Sequence, residues 1–347
     1  MMKGLRKYLT PFAPDQSGAV SVLYELGGIL VICDAGGCTG NICGFDEPRW
    51  FTHKSAVFSA GLRDMDAILG RDDRLVAKLA DAAGKVEASF AAIIGTPVPA
   101  VIGTDYRALE RMGEKKMDLM ILTVDTDGME LYDAGEEKAY LALFRTFAKE
   151  KLPVEKGRIG VIGTTPQDLS DLKEAERMRD RLKKQYGYQA FCYGMGAGLE
   201  EVKKASAAEK NLVVSPAALA AAKYLKATYG TPYEIDYPTA KDRIAKIDHS
   251  GKRVLIVHQQ VLANAIRDEI QTRWNQTEVT VASWFTLKKE LKQEQDIALK
   301  EEEDYIELVN SGAWDVIYAD ACMKRMVPGF TGEFIDVPHF AVSGRLR

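Results

Sequence analysis

The sequence is poor in cysteine and histidine, and it has neither a long apolar run nor an excess of one charge. Five cysteines and four histidines occur among 347 residues. No apolar run approaches the roughly 20 residues that a membrane-spanning helix needs, and the first residues lack the apolar stretch of a signal peptide. A net charge of −4 gives no basic surface for nucleic acid or anionic lipid. We therefore expect a cytoplasmic protein that binds neither membranes nor nucleic acid.

Short, branched apolar runs alternate with helical patterns along the chain. Nine runs predict buried strands: GGILVICD, FAAIIG, LMILTVDTDG, RIGVIGTT, QAFCYG, NLVVS, KRVLIVHQ, TEVTVASW and WDVIYAD. One helical pattern, DLSDLKEAERMRDRLKKQYG, is predicted to begin at a cap formed by Asp168 or Ser170 and to end at Gly187. Strand–helix alternation predicts an α/β fold with parallel sheets covered by helices on both faces.

Two polar segments divide the chain into blocks. Residues 149–153 are charged and end in proline, and residues 248–252 are polar and contain glycine. A chain of this length is also too long for one compact core. We therefore expect three α/β domains, at residues 1–150, 151–250 and 251–347, with a C-terminal return segment at the end of the third.

Three of the five cysteines lie in one glycine-rich stretch, CDAGGCTGNICGF, at residues 33–45. Cys33 continues a strand pattern, so it is expected to be a packing residue. Cys38 and Cys43 come after the strand's carboxyl end, where open α/β sheets bind ligands. Backbone N–H groups of such a loop, including that of Gly37, can hydrogen-bond to the sulfurs of an iron–sulfur cluster.

Two thiolates cannot complete the four-ligand shell of a 4Fe–4S cluster or a structural zinc ion. Two copies of the loop that meet across a twofold axis can, because such a contact duplicates every ligand. The spacing between Cys38 and Cys43 alone does not distinguish a metal site from a metal-free loop.

The other candidate motifs favour structural roles. Thr104 and Asp105 are predicted to cap a following helix. The IGTT stretch at residues 162–165 could bind a phosphate at a helix start, but it lacks the glycines and lysine of nucleotide loops. Each histidine stands alone in the sequence, with no serine or cysteine partner that position would indicate, so hydrolase chemistry has no support.

The order of several weak motifs resembles that of the nitrogenase component 1 family. This family includes the large nitrogenase subunits, their cofactor-assembly homologues and the dark-operative protochlorophyllide reductase subunits. The motifs are PDQSGA, GILVICDAGGC, FSAGLRDMDAILGRDDRL and GTPVPAVIGTD, followed by a segment from LEEVKKAS to YGTPY. The resemblance covers the larger part of the chain and implies three Rossmann-like domains with mainly parallel sheets.

The resemblance also implies ligand positions. Three cysteines per subunit usually hold the family's interface cluster, and these positions correspond to Ser17, Cys38 and Thr96, so only the second keeps its thiol. Cys43, five residues after Cys38, is expected to replace one lost ligand. The cysteine that carries the nitrogenase cofactor corresponds to Ser215, so neither an iron–molybdenum cofactor nor dinitrogen reduction is expected.

These implications favour a redox protein. We expect one 4Fe–4S cluster held by Cys38 and Cys43 of two subunits, in a homodimer or a paralogous heterodimer whose interface includes residues 36–47. An ATP-hydrolysing iron protein would supply electrons, and a substrate would bind between domains. Two alternatives stay open: a scaffold or carrier for a metallocofactor or tetrapyrrole, and a cluster-free binding module that uses only an interdomain cleft.

Overall fold

The fold consists of three parallel sheets with helices packed around them. The computed structural model describes residues 6–347, apart from the side chains of residues 67 and 68. Within the three sheets of this described part, every strand pair is parallel. The predicted α/β class with parallel sheets is therefore confirmed.

The first sheet has the order β2-β1-β3-β4, with β1 (Ile29–Ile32), β2 (Ala56–Ser59), β3 (Ala91–Ile94) and β4 (Ile121–Val124). The second has the order β6-β5-β7-β8, with β5 (Glu155–Ile162), β6 (Gln189–Tyr193), β7 (Ala208–Val213) and β8 (Tyr233–Ile235). The third has the order β11-β10-β9-β12-β13, with β9 (Arg253–Val257), β10 (Glu278–Ser283), β11 (Ile297–Ala298), β12 (Val316–Ala319) and β13 (Glu333–Asp336).

The α-helices alternate with these strands. They are α1 (Asp15–Leu23), α2 (Gly37–Asn41), α3 (Asp64–Leu69), α4 (Asp72–Ala83), α5 (Pro97–Ile102), α6 (Tyr106–Lys116), α7 (Tyr132–Phe147), α8 (Pro166–Leu169), α9 (Glu174–Tyr186), α10 (Leu199–Lys203), α11 (Leu219–Tyr229), α12 (Gln260–Arg273), α13 (Glu302–Ser311) and α14 (Phe340–Ser343). Among the helices described, none is long and apolar enough to cross a membrane.

Each sheet reverses its strand order once, and the reversals lie between β1 and β3, β5 and β7, and β9 and β12. In open α/β sheets, ligands bind outside the carboxyl ends of the strands at such points. The segments that follow these six strands therefore contain the positions where chemistry is expected.

The three sheets share their hydrophobic cores. One buried cluster joins the first and second sheets, a second joins the second and third, and a third joins α7 and the N-terminal segment to the third sheet. Helix α1 is buried along its whole length against α7. A Cβ added at Gly18 would meet the carbonyl oxygen of Tyr132, and one added at Gly135 would meet that of Asp15. Only glycine permits this backbone approach.

Some local expectations are confirmed and one is wrong. Asp105 caps α6 by accepting a hydrogen bond from the Ala108 amide (3.0 Å), as predicted. Gly187 ends α9 in the left-handed conformation, also as predicted. The start of that helix was wrongly assigned: neither Asp168 nor Ser170 caps it, because the pattern breaks into α8 and α9 and both side chains bond elsewhere.

Candidate functional site

The cysteine-rich segment is a short helix that continues into a π-helical turn. Helix α2 contains Cys38, and the turn Ile42–Asp46 contains Cys43. Gly36, with φ of 120°, turns the chain into this segment directly after β1. π-Turns are rare and occur often at functional sites.

Asp34 fixes the segment to the carboxyl end of the first sheet. Its buried carboxylate accepts hydrogen bonds from the Thr39 amide (2.7 Å), the Thr39 hydroxyl (3.0 Å) and the Ser59 hydroxyl (2.6 Å). Thr39 is the neighbour of Cys38, so the carboxylate holds the first turn of the helix that carries this thiol.

Cys38 lies beside Thr96, at the end of β3. Its thiol is half-buried, and burial raises its pKa, as does the charge of Asp34, while a hydrogen bond with the Thr96 side chain acts in the opposite direction. The Thr96 hydroxyl donates to the carbonyl oxygen of Cys33 (2.7 Å). Cys33 itself is buried, which raises the pKa of its thiol to about 12 and agrees with the expected packing role.

Cys43 has a similar environment one π-turn further along. Its thiol is half-buried, and burial, Glu47 and Asp34 all raise its pKa. A thiol that is activated as a nucleophile has a lowered pKa, so both shifts run in the opposite direction. A bound metal would have to displace the proton from each thiol.

Ser17 lies near the other end of the same turn. Its buried hydroxyl donates to Asp46 Oδ2 (2.7 Å), and burial raises the pKa of Asp46. The Asp46 carbonyl oxygen accepts a hydrogen bond from Gln167 Nε2 (2.6 Å), which joins the turn to the second sheet.

The cysteine-rich segment has two half-buried thiols and, within the described residues, forms no closed metal site. Across residues 6–347, the side chains of 67 and 68 aside, no group of three or more His, Cys, Asp or Glu residues is arranged to hold a metal ion. The hydroxyls of Ser17 and Thr96 are engaged in hydrogen bonds. Gly37 is exposed and has open space around it. This donor set fits a cluster shared by two chains, not one held by a single chain.

Arg49 ties the segment after the cysteines to α1 and to the second sheet. Its guanidinium is buried and donates to Glu47 (2.7 Å), Glu25 (2.9 Å) and the Gly194 carbonyl oxygen (2.7 Å). It also donates to the Ser21 carbonyl oxygen (2.7 Å). Burial lowers the pKa of Arg49, but the two carboxylates outweigh this effect and raise it, so the guanidinium stays charged.

A buried polar network that sequence reasoning missed lies where the three sheets meet. The Tyr132 hydroxyl donates to Asp168 Oδ1 (2.5 Å) and lies 2.9 Å from His339 Nε2. The rings of His339 and His258 stack nearly parallel at 4.1 Å. His258 and Asp168 follow the carboxyl ends of β9 and β5, and this position is the one signal that could have found them.

The IGTT stretch contacts a carboxyl side chain of this same protein. The Thr165 hydroxyl donates to Glu136 Oε1 of α7, and Glu136 is completely buried. The group that occupies this loop is therefore a carboxyl side chain from the neighbouring part of the protein. Burial, reinforced by the charge of Asp168, raises the pKa of Glu136 well above its usual value.

Ser215 follows β7 and is buried without room beside it. Its Oγ accepts a hydrogen bond from the Ala217 amide (3.3 Å). A Cβ added at Gly163 would meet the Cβ of Ser215 at 2.7 Å. The neighbouring Val214 carbonyl oxygen accepts a hydrogen bond from Gln259 Nε2 (2.9 Å) of the third sheet. Ser215, which the family resemblance predicts in place of a cofactor ligand, is thus closely packed.

A cleft of about 590 Å³ opens beside the π-turn, between the N-terminal segment, α8 and α14. Aromatic rings and amide or carboxylate groups line it, including Phe12, Gln16, Phe45, Asp46, Gln167 and Phe340. Its volume is within the range of small-molecule sites. Among the residues that the structure describes, Asp46 is the one ionisable group that lines the cleft.

Comparisons with known proteins agree with this geometry. The family model for nitrogenase component 1 type oxidoreductases matches residues 16–247. The solved structure of nitrogenase Cp1 at pH 6.5 is similar with a TM-score of 0.73 and 12% identity, over 97% of this chain and 87% of that chain. Nitrogenase Cp1 at pH 5 gives a TM-score of 0.69 and 14% identity, over 97% and 85%. No curated protein sequence matches the chain significantly.

The fold and the matched family model together define the class. The chain belongs to the nitrogenase component 1 type oxidoreductase family, as the order of its motifs predicted. At such low identity, the likeness to solved nitrogenases concerns the fold. Membership in this family supports a redox function of the general kind that its name describes.

Proposed function

We propose that this protein is a redox component in which two chains share one 4Fe–4S cluster, held by Cys38 and Cys43 of each chain. An ATP-hydrolysing iron protein feeds electrons to the cluster, which reduces a substrate other than dinitrogen. The observation that carries this proposal is the placement of two half-exposed thiols on one helical segment at the carboxyl end of the first sheet. Two thiols per chain become four across a twofold axis.

Exposed apolar side chains around the thiols support a shared site. Phe45 and Phe51, on the segment that carries Cys43, are 76% and 77% exposed, and Val101 of α5 is 86% exposed. Helix α5 begins directly after Thr96, the neighbour of Cys38. Contiguous exposed apolar surface marks contacts with another protein, and we propose that these three side chains belong to one such surface. A second copy, or a close paralogue, is the partner that also completes the ligand set.

A charge placed on this surface should separate the chains. We expect Phe51→Asp combined with Val101→Asp to give a monomer at micromolar concentration, because each carboxylate would be buried without a partner in the interface. Light scattering measures the mass. Val154→Asp is the matched control, since Val154 is also exposed but precedes β5, away from the cysteines. A wild-type monomer, or a double variant that stays dimeric, would contradict the proposed interface.

We propose that the substrate, which accepts the electrons, binds in the cleft beside the π-turn. The cleft includes Asp46 and Gly44, within three residues of Cys43, so a molecule bound there would lie close to the proposed cluster. Because the described part of the lining combines aromatic rings with the Asp46 carboxyl group, we propose a neutral or cationic substrate with an apolar body.

Two further parts of the proposal concern the rest of the chain. We propose that residues 1–150, 151–250 and 251–347 are the three domains, because each interval contains one sheet. We also propose that no iron–molybdenum cofactor binds, because a serine hydroxyl is a poor iron ligand and Ser215 is tightly packed. Stoichiometric molybdenum or vanadium in anaerobically purified protein would contradict this.

A scaffold or carrier is the second candidate. The cleft and the hydrogen-bonded hydroxyls of Ser17 and Thr96 favour it, because two of the three family ligand positions carry no thiol. The two proposals differ in electron transfer. A carrier would hold its cargo without oxidising a reduced iron protein, whereas the redox component would draw electrons from it.

A further inference from the structure

The cleft beside the π-turn is lined by side chains whose hydrogen-bond acceptors lack donors. Gln167 is completely buried, and its Nε2 donates to the Asp46 carbonyl oxygen (2.6 Å), which leaves its Oε1 without a partner. Gln16 is 6% exposed, and its Oε1 also has no partner. The Ser343 hydroxyl donates to Asp320 Oδ2 (2.6 Å), so toward the cleft it can only accept. Buried acceptors without donors are unfavourable, so an N–H group would stabilise this lining.

Asp46 is held by two contacts that leave one of its carboxylate oxygens free. The Ser17 hydroxyl donates to Asp46 Oδ2 (2.7 Å), and Gln167 fixes the backbone of the same residue. In the part of the chain that the structure describes, Asp46 Oδ1 accepts no hydrogen bond and Asp46 forms no ion pair. A carboxylate oriented in this way can bind a cationic N–H group through a charge-assisted hydrogen bond.

The charges around Asp46 favour a cation at this point. Burial raises the pKa of Asp46, as does the charge of Glu47, so its ionised form lacks a compensating cation. Glu47 itself is bonded to Arg49 (2.7 Å). Thr10 and Asn41 also line the cleft, but both are exposed, so water can satisfy their side chains.

Aromatic rings form part of the cleft's walls. Phe12 and Phe340 are buried, which fixes their positions. The Arg6 guanidinium lies 3.6 Å from the centroid of the Phe12 ring, and Glu302 attracts its charge. Fixed aromatic walls beside a carboxylate suit a ligand with an apolar body and one polar end.

We propose that this cleft binds a ligand with a cationic N–H group, an amidinium or a primary ammonium. The cation pairs with Asp46 Oδ1, and its N–H groups donate to the amide oxygens of Gln16 and Gln167. This inference rests on the proposed function for the role of the cleft as the substrate site, whereas binding itself needs neither iron nor an electron donor. It narrows the substrate to one whose polar end is a charged hydrogen-bond donor.

Calorimetric titration of the full-length protein with benzamidine, benzamide and benzoate tests the proposal. The three probes share one ring and differ in the polar group, which is a cationic donor, a neutral amide or an anion. The wild type should bind benzamidine about tenfold more tightly than benzamide, because a charge-assisted hydrogen bond is stronger than a neutral one. Benzoate should not bind.

Three variants show which residues cause this preference. Asp46→Asn should lower the affinity for benzamidine to that for benzamide, because it removes the charge and keeps the shape of the side chain. Gln16→Leu should weaken both probes several-fold, since both carry N–H groups that need an acceptor. Asp81→Asn is the matched control, because Asp81 is an exposed carboxylate of α4 paired with Lys85, and it should change no affinity.

Equal affinity of the wild type for benzamidine and benzamide, or an Asp46→Asn variant that keeps the preference, would overturn the inference. If Asp46→Asn does not fold, Gln16→Leu decides, and an unchanged affinity for both probes would contradict the proposed site. Titration of iron-free protein separates this inference from the proposed cluster. Binding there supports the assignment of the cleft even if no cluster forms, whereas cluster-containing protein that does not bind benzamidine refutes the inference alone.

Discussion

Replacing Cys38 with alanine should abolish the broad visible absorption of anaerobically purified protein and reduce its bound iron to near zero. One change per chain removes two of the four ligands, because a twofold axis repeats each loss. The remaining Cys43 pair cannot hold the cluster, and the dimer should weaken because cluster binding and assembly are coupled. Iron and sulfide assays together with light scattering measure both effects.

Cys192 provides the matched control for this experiment. Its thiol is completely buried in the second sheet, with Sγ 3.6 Å from the Ala175 carbonyl oxygen. Cys192→Ala removes a sulfur without touching the proposed cluster, so iron content and dimerisation should persist. Full iron in a Cys38→Ala, Cys43→Ala double variant would contradict the ligand assignment.

Replacing Arg49 with methionine should lower the free energy of unfolding by about 3–5 kcal/mol. The change leaves the buried Glu47 carboxylate without its cation and removes the bonds to Ser21 and to the Gly194 carbonyl oxygen. An uncompensated buried charge is among the most destabilising defects in a folded protein. Urea unfolding followed by circular dichroism measures the loss.

An exposed arginine tests whether burial causes this effect. Arg71 pairs with Asp73 on the surface, where both side chains are largely exposed. Exposed pairs are screened by water and contribute little to stability, so Arg71→Met should leave stability almost unchanged. If the Arg49 and Arg71 variants lost equal stability, the Arg49 network could not be an essential link between α1 and the second sheet.

The nine strands with an apolar run could be predicted from sequence, but four short, partly exposed edge strands could not. All nine predicted runs form strands, because each is a continuous apolar segment buried between helices. The strands that escaped prediction are β2, β8, β11 and β13, and each lies at the edge of its sheet. They have two to four residues and expose part of their side chains, so no apolar run marks them.

Local capping rules failed where the side chain forms a hydrogen bond with a residue that is distant in the sequence. Asp168 and Ser170 match the pattern of helix caps, yet Asp168 binds Tyr132 and Ser170 accepts from the Phe340 amide (2.7 Å). Ser170 also adopts a left-handed conformation with φ of 56°. These partners are 36 and 170 residues away, which no short sequence window contains.

Part of the candidate site could be predicted from the sequence, and part could not. The position of Cys38 and Cys43 beyond β1 follows from the strand pattern, and their role as ligands stays a prediction. The stacking of His258 on His339 could not be predicted, because these residues lie far apart in the sequence and meet only once the third sheet has formed. Single histidines in a sequence carry no information about such a meeting.

Anaerobic purification followed by iron, sulfide and mass determination tests the central claim most directly. The account predicts about four irons and four sulfides per two chains, in a species of twice the chain mass. The iron should disappear with Cys38→Ala and remain with Cys192→Ala. A monomer free of iron and sulfide, purified without exposure to air, would contradict a cluster shared through Cys38 and Cys43.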